Sequence, residues 1–174
     1  DAQALLHELD ESNLFLIPLD NRGEWFRYHH LFGEMLQYRL EQQKPDLVPV
    51  LFHLAMCWHI EQDSIEEAIN YAISGGHFAE ASELVSDTAM YLQNYGNRNL
   101  LIKWIEQLPA EFVVKHRLWV QYAVAQFYYT RFIMARRFIE EMTSDEILDA
   151  IEDGTEREIC FSYRDVLLAT IELH

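Results

Sequence analysis

The stretch that decides the fold reads Asn13-Leu14-Phe15-Leu16-Ile17-Pro18-Leu19, then Asp20-Asn21-Arg22-Gly23-Glu24, then Trp25-Phe26-Arg27-Tyr28-His29. Two apolar and aromatic runs flank a five-residue loop containing Gly23, a pattern that predicts a β-hairpin over about residues 14–29. Pro18 belongs near a strand edge, where its missing N–H does least harm. On one side, Leu5, Leu6 and Leu9 predict a helix over 2–11; on the other, Leu31, Phe32, Met35, Leu36 and Leu40 predict one from His30 to Lys44-Pro45. Helix, hairpin, helix is the order of the closing part of a small winged-helix domain, expected at residues 1–44.

From Pro45 onward the periodicity is helical throughout, so residues 45–174 are expected to form a helical-repeat arm. Val48, Leu51, Phe52, Ala55 and Trp58 mark the first apolar face. Ser64 with Glu67, Thr143 with Glu146, and Thr155 with Glu158 have the spacing of capping boxes. Gly75-Gly76 and Gly96 end helices, and Pro109 stops a shorter one that begins near Leu100. Leu118 to Tyr129 and Ile133 to Met142 form the next pair. Helices of this length with short joints and alanines between them stack into a superhelix of the tetratricopeptide kind, with roughly 34 residues per repeat. Where that repeat usually places Gly, this chain has Thr130-Arg131.

Composition narrows the function. The 174 residues carry a formal charge of −16, with no Lys or Arg between Pro45 and Asn97 and a second acidic block from Glu140 to Glu158. Nucleic-acid binding needs cations against phosphates, so direct contact with DNA is not expected of this chain. No apolar run approaches the length of a membrane span. The two cysteines, Cys57 and Cys160, form no paired pattern, and the expected setting is reduced and cytoplasmic. The chain opens Asp1-Ala2-Gln3 without Met and reads as an internal part of a longer protein.

Asn13 to Asp20, followed by Trp25-Phe26-Arg27-Tyr28-His29-His30-Leu31-Phe32, resembles the stretch after the ATPase in MalT-like, LuxR-type regulators. There the wording is N-L-F-[LV]-x-x-L-D, then W-[YF]-R-Y-H-H-L-F-x-x-x-L. The similarity continues through Leu54-Ala55 with Trp58, Glu67-Ala68-Ile69, and Ala72 to Gly76. It reaches Leu101-Ile102-Lys103-Trp104-Ile105-Glu106-Gln107-Leu108-Pro109, which is similar to L-L-x-W-[LI]-x-x-L-P. Residues 5 to 109 are covered; beyond Leu118 the pattern is that of a generic helical repeat. The resemblance implies a signal-transduction ATPase with a nucleotide-binding domain, this winged helix, a helical arm, a sensor domain and a terminal helix-turn-helix. ATP or ADP belongs to that full-length protein, since no G-x-x-x-x-G-K-[ST] occurs here. Its implied partners are its own nucleotide-binding and sensor domains, a small-molecule effector or regulatory protein, and further copies of itself.

Three groups of residues invite specific roles. Tyr28-His29-His30-Leu31 is similar to the Met-His-Asp motif of related signalling ATPases, whose His contacts the phosphates of ADP. That makes His29 and His30 a candidate nucleotide-sensing latch; the plainer account has both histidines capping the helix and packing under the hairpin. His53, Cys57 and His59 raise a metal site, but His59 points off the face shared by the other two and no fourth ligand is near in sequence, so no metal is expected. Trp119, Tyr122, Tyr128 and Tyr129, with Phe127 and Phe132, are either core or an effector or partner surface. The carboxylates Glu66, Glu67, Glu140, Glu141, Asp145, Glu146 and Asp149 read as solvated helix faces and caps, and no nucleophile–base pair points to an enzyme. A free-standing helical scaffold that binds a protein or peptide is the competing reading; a metal-dependent or acid–base enzyme ranks third.

Overall fold

The computed structural model describes Glu8, residues 15–19 and residues 26–173. Of the helix expected over 2–11 only Glu8, which is helical, is described, and the hairpin loop at 20–25 lies outside the described residues. Two strands, β1 (Leu16–Pro18) and β2 (Phe26–Tyr28), pair antiparallel with Leu16 opposite Tyr28, Ile17 opposite Arg27 and Pro18 opposite Phe26. The expected hairpin is present, with Pro18 at the end of its strand. The His29 amide donates to the Phe15 carbonyl at 2.7 Å, continuing the ladder into α1 (His30–Gln43). Phe15 stacks on Phe32 at 5.1 Å and Tyr28 meets the same ring edge-on at 5.6 Å, so aromatic contacts hold the hairpin against the first turn of α1.

The chain divides into two compact units, Asp1–Val48 and Pro49–His174. Among its described residues the second holds only helices and their joints: α2 (Leu47–Glu61, which enters it at Pro49), α3 (Ile65–Ser74), α4 (Phe78–Tyr95), α5 (Arg98–Gln107), α6 (Ala110–Lys115), α7 (Leu118–Tyr128), α8 (Phe132–Met142), α9 (Asp145–Asp149) and α10 (Gly154–Glu172). Short joints make successive helices antiparallel neighbours. The packing runs α3 on α4, α4 on α5, α5 on α7, α7 on α8 and α8 on α10. Ala68, Ala72, Ala81, Ala89, Ala123, Ala125 and Ala135 are buried at these contacts, where a small side chain lets backbones approach. Trp104, Trp119, Leu101, Ile105, Leu118 and Ile139 fill the volume between them. A winged helix followed by a helical arm is the architecture, and among the described residues no helix is long and apolar enough to cross a membrane.

Three helix ends share one geometry. After α2, Ser64 N donates to His59 O and Asp63 N to Ile60 O. After α3, His77 N bonds Ala72 O and Gly76 N bonds Ile73 O; after α7, Arg131 N bonds Gln126 O and Thr130 N bonds Phe127 O. This is the Schellman pattern, whose turning residue must be left-handed. Asp63, Gly76 and Thr130 hold φ of 57°, 74° and 56° there. Thr130 thus takes the backbone conformation that the repeat normally gives to glycine.

Several local expectations are corrected. Ser64 makes no side-chain cap, because the joint is so short that its amide is already closing α2 and its ψ is 66°, outside the extended region that capping uses. Thr143 bonds back to Ile139 O, and Ser144 precedes α9 instead, without a side-chain cap. Asp153 rather than Thr155 caps α10, accepting from Thr155 N at 2.8 Å and Glu156 N at 3.2 Å. The inward face of α2 is also rotated from the one expected. Met56 is buried, with Phe52 and His59 against Tyr71, whereas Leu51 and Trp58 are 42% and 43% exposed. Apolar residues surround this helix, so periodicity alone did not select a face.

Candidate functional site

In the winged-helix unit, His29 immediately precedes α1 with φ −54° and ψ 135°, and its side chain makes no capping hydrogen bond. Capping therefore does not account for the ring. It is half-buried, tilts against the exposed His30 ring at 4.6 Å, and lines an apolar groove of about 570 Å³ with Phe15, Leu31, Phe32 and Met35. No acidic residue occupies the first turn of α1, so the positive end of the helix dipole is not neutralised locally. His29 and the start of α1 stand together at the groove, with His30 beside His29.

The four aromatics considered as an effector or partner surface separate into two groups. Trp119 and Tyr122 are buried in the core and present no face to a ligand; that part of the surface reading is corrected. The Tyr122 ring stacks on Phe138 at 3.9 Å and its hydroxyl donates to Glu106 at 2.9 Å. Burial, reinforced by the Glu106 carboxylate, pushes the Tyr122 hydroxyl up to about 12. Tyr128, 68% exposed, carries the Arg98 guanidinium 3.6 Å above its ring, and half-buried Tyr129 has Arg131 at 4.9 Å. Tyr128 lies six positions beyond Tyr122, roughly 120° away around the helix, so its ring turns off the core, while Tyr129 follows the last residue of α7.

A groove of about 940 Å³ that no sequence signal announced lies between α6, α9 and the start of α10. Val114, Ile147 and Ile151 line it together with Lys115, Arg117 and Glu156. Arg117 donates from Nε and Nη2 to the two Glu156 carboxylate oxygens at 2.9 and 2.8 Å, and that pairing holds the guanidinium above its ordinary range. Charged groups on an apolar wall are what a polar-headed ligand or a peptide uses. None of the four aromatics lines it.

The histidines of α2 also part company. His53 lies beside Cys57, with Nε2 3.6 Å from Sγ, while His59 stacks on Tyr71 at 5.1 Å. His77, from the α3–α4 joint, and Glu80, in the first turn of α4, come to His53 where His59 does not.

Residues 1–48 match the MalT winged helix domain, a segment that includes the hairpin and α1. The HTH-type transcriptional regulator MalT of Vibrio parahaemolyticus is 32% identical over 120 residues, 67% of this chain and 13% of the regulator. The chain belongs to the MalT-like family. The serine/threonine-protein kinase PknK of Mycobacterium tuberculosis is 30% identical to this MalT-like chain over 125 residues, 72% of it and 11% of the kinase. PknK of Mycobacterium bovis shows the same identity over the same length. The MalT-like chain thus corresponds to about an eighth of the length of these curated relatives. No solved structure matches it.

Proposed function

We propose that this chain is the coupling region of an ATP-dependent, LuxR-type transcriptional regulator, joining a nucleotide-binding domain to a sensor of tetratricopeptide-like repeats. One observation carries the reading. The same region is shared with an HTH-type regulator and with a protein kinase, whose names describe different outputs, so its role is one that both outputs can use. Transmitting a change of state between an input and an output is such a role.

In this account the chain catalyses nothing itself; ATP and ADP bind the domain that precedes it, and DNA binds a domain that follows. His29 presents an N–H to a nucleotide phosphate at the start of α1, with His30 beside it, and holds a resting state in a cytoplasmic protein. A small-molecule effector or regulatory protein binding the arm favours the other state, and release allows self-association. A ligand shifts such an equilibrium only by its difference in affinity for the two states, so the latch must weaken one of them. The test is His29→Ala in the full-length protein, followed by ADP release and promoter activation. Faster ADP release with activation at lower effector concentration is expected. If nucleotide exchange and activation are both unaltered, the latch is wrong.

The groove beside Arg117 and Glu156 favours a second reading, a helical scaffold that binds a peptide with no ATPase attached. The coding sequence on either side decides between the two. A P-loop upstream and a helix-turn-helix downstream support the regulator; their absence supports the scaffold.

A further inference from the structure

His53 on α2, His77 at the start of α4 and Glu80 in the first turn of α4 each offer a donor atom within 4.8 Å of the other two, and all three side chains are half-buried. The hydrogen bonds around them select the nitrogens. His77 Nε2 lies 2.9 Å from the Pro49 carbonyl, which can only accept, so this nitrogen carries the proton and Nδ1 of a neutral ring keeps its lone pair. In His53, Nε2 faces Cys57 Sγ, and Nδ1 is a buried atom with no hydrogen-bond partner. A buried polar atom left unmatched is costly and asks for a partner.

We infer that His53, His77 and Glu80 bind one divalent transition-metal ion, with zinc the best fit to two imidazoles and a carboxylate. Nδ1 of each histidine and a Glu80 oxygen supply three ligands and water fills the fourth position. The Pro49 carbonyl and Cys57 Sγ act from behind, each engaging the far nitrogen of a ligating ring, as groups behind zinc-bound histidines commonly do. Tetrahedral ligand atoms at bonds of about 2.1 Å sit roughly 3.4 Å apart. The donors, within 4.8 Å of one another, therefore close by up to about 1.4 Å through rotation of the Glu80 side chain and the two imidazole rings. The electrostatics agree, since no Lys or Arg occurs between Pro45 and Asn97 to compete for Glu80. The ion ties α2 to α4 across the intervening α3, clipping the first helices of the arm together.

Isothermal titration of the chelator-treated chain with zinc chloride tests this. One equivalent is expected to bind, with a rise in melting temperature. Glu80→Gln, which keeps the shape of the side chain, and His53→Gln are each expected to weaken binding by roughly tenfold or more. His59→Gln, altering a ring that stacks on Tyr71 away from the cluster, is expected to leave it unchanged. Far-UV circular dichroism confirms that each variant is folded. The site is overturned by an absence of stoichiometric binding, or by zinc affinity that is the same in Glu80→Gln as in the parent chain.

Discussion

The indole N–H of Trp104 donates to the side-chain oxygen of Asn70 at 2.9 Å, joining α5 to α3 across thirty-four positions of sequence. Trp104 is buried and Asn70 lies on the exposed side of α3, directly after Ala68 and Ile69 of the core. Asn70 follows the family-like stretch Glu67-Ala68-Ile69, and Trp104 lies within Leu101 to Pro109, so the hydrogen bond ties the second stretch to the residue next to the first. Asn70→Ala leaves a buried N–H unmatched and should cost about 1–2 kcal/mol in urea unfolding, while Asn70→Asp, which keeps an acceptor, should restore most of it. In a double-mutant cycle with Trp104→Phe, no coupling energy would mean that the hydrogen bond contributes nothing.

Thr130 occupies a left-handed position without the freedom of glycine. Relief of that backbone cost outweighs the greater entropy lost by an unfolded glycine, so Thr130→Gly should stabilise the chain by about 0.5–1 kcal/mol. For a domain of this size that is a rise of roughly 2 °C in Tm by calorimetry. A fall in Tm would show that the Thr130 side chain matters more than its φ.

Gly75 and Gly76 should respond to alanine for different reasons. A Cβ at Gly75 would stand 2.6 Å from the Phe52 Cβ and 2.7 Å from His77 Cδ2, whereas one at Gly76 meets open space but a φ of 74°. Gly75→Ala must push α2 off the α3–α4 joint and is expected to cost about 1–3 kcal/mol, the range of overpacking. Gly76→Ala is expected to cost about 1 kcal/mol through its backbone alone. Thermal melts that rank the two in the opposite order would contradict this.

Tyr122 predicts an alkaline weakness. Its folded pKa, about 12, is above the ordinary tyrosine value of 10, so the folded state favours the neutral hydroxyl. That contribution is fully present below pH ~10 and is lost as pH rises toward ~12, about 2–3 kcal/mol over the two units. Tyr122→Phe should flatten this part of the stability–pH curve while costing only about 1 kcal/mol at neutral pH, because Glu106 is exposed and water replaces its donor. Identical alkaline curves for the two proteins would exclude Tyr122 as the cause.

What could be read from the sequence was local. The two runs around Gly23 predicted the hairpin because strand periodicity and loop composition are properties of neighbouring residues. Gly76, Gly96 and Pro109 marked real helix ends for the same reason, and the alanines foretold close helix contacts. The capping boxes failed although their spacing was right. The Ser64 amide is still closing α2 as α3 begins, the Thr143 hydroxyl bonds back to Ile139, and Asp153 takes the cap of α10 ahead of Thr155.

The candidate sites were less legible. His29 and His30 stood out because they are adjacent to each other and to a helix start. The metal reading of α2 counted His53, Cys57 and His59 and stopped there, since His77 and Glu80 belong to a later helix, eighteen and twenty-one residues beyond His59. The groove at Arg117 and Glu156 likewise joins residues thirty-nine apart. By itself the sequence determined which segments are strand or helix and where they end, because φ/ψ preferences and hydrogen bonds within a turn involve residues close along the chain. Only the tertiary structure decided which face of α2 turns inward, which aromatics of α7 are core, and which histidine finds a carboxylate. Those outcomes depend on how whole helices pack, and a helix that is apolar all round can pack in more than one way.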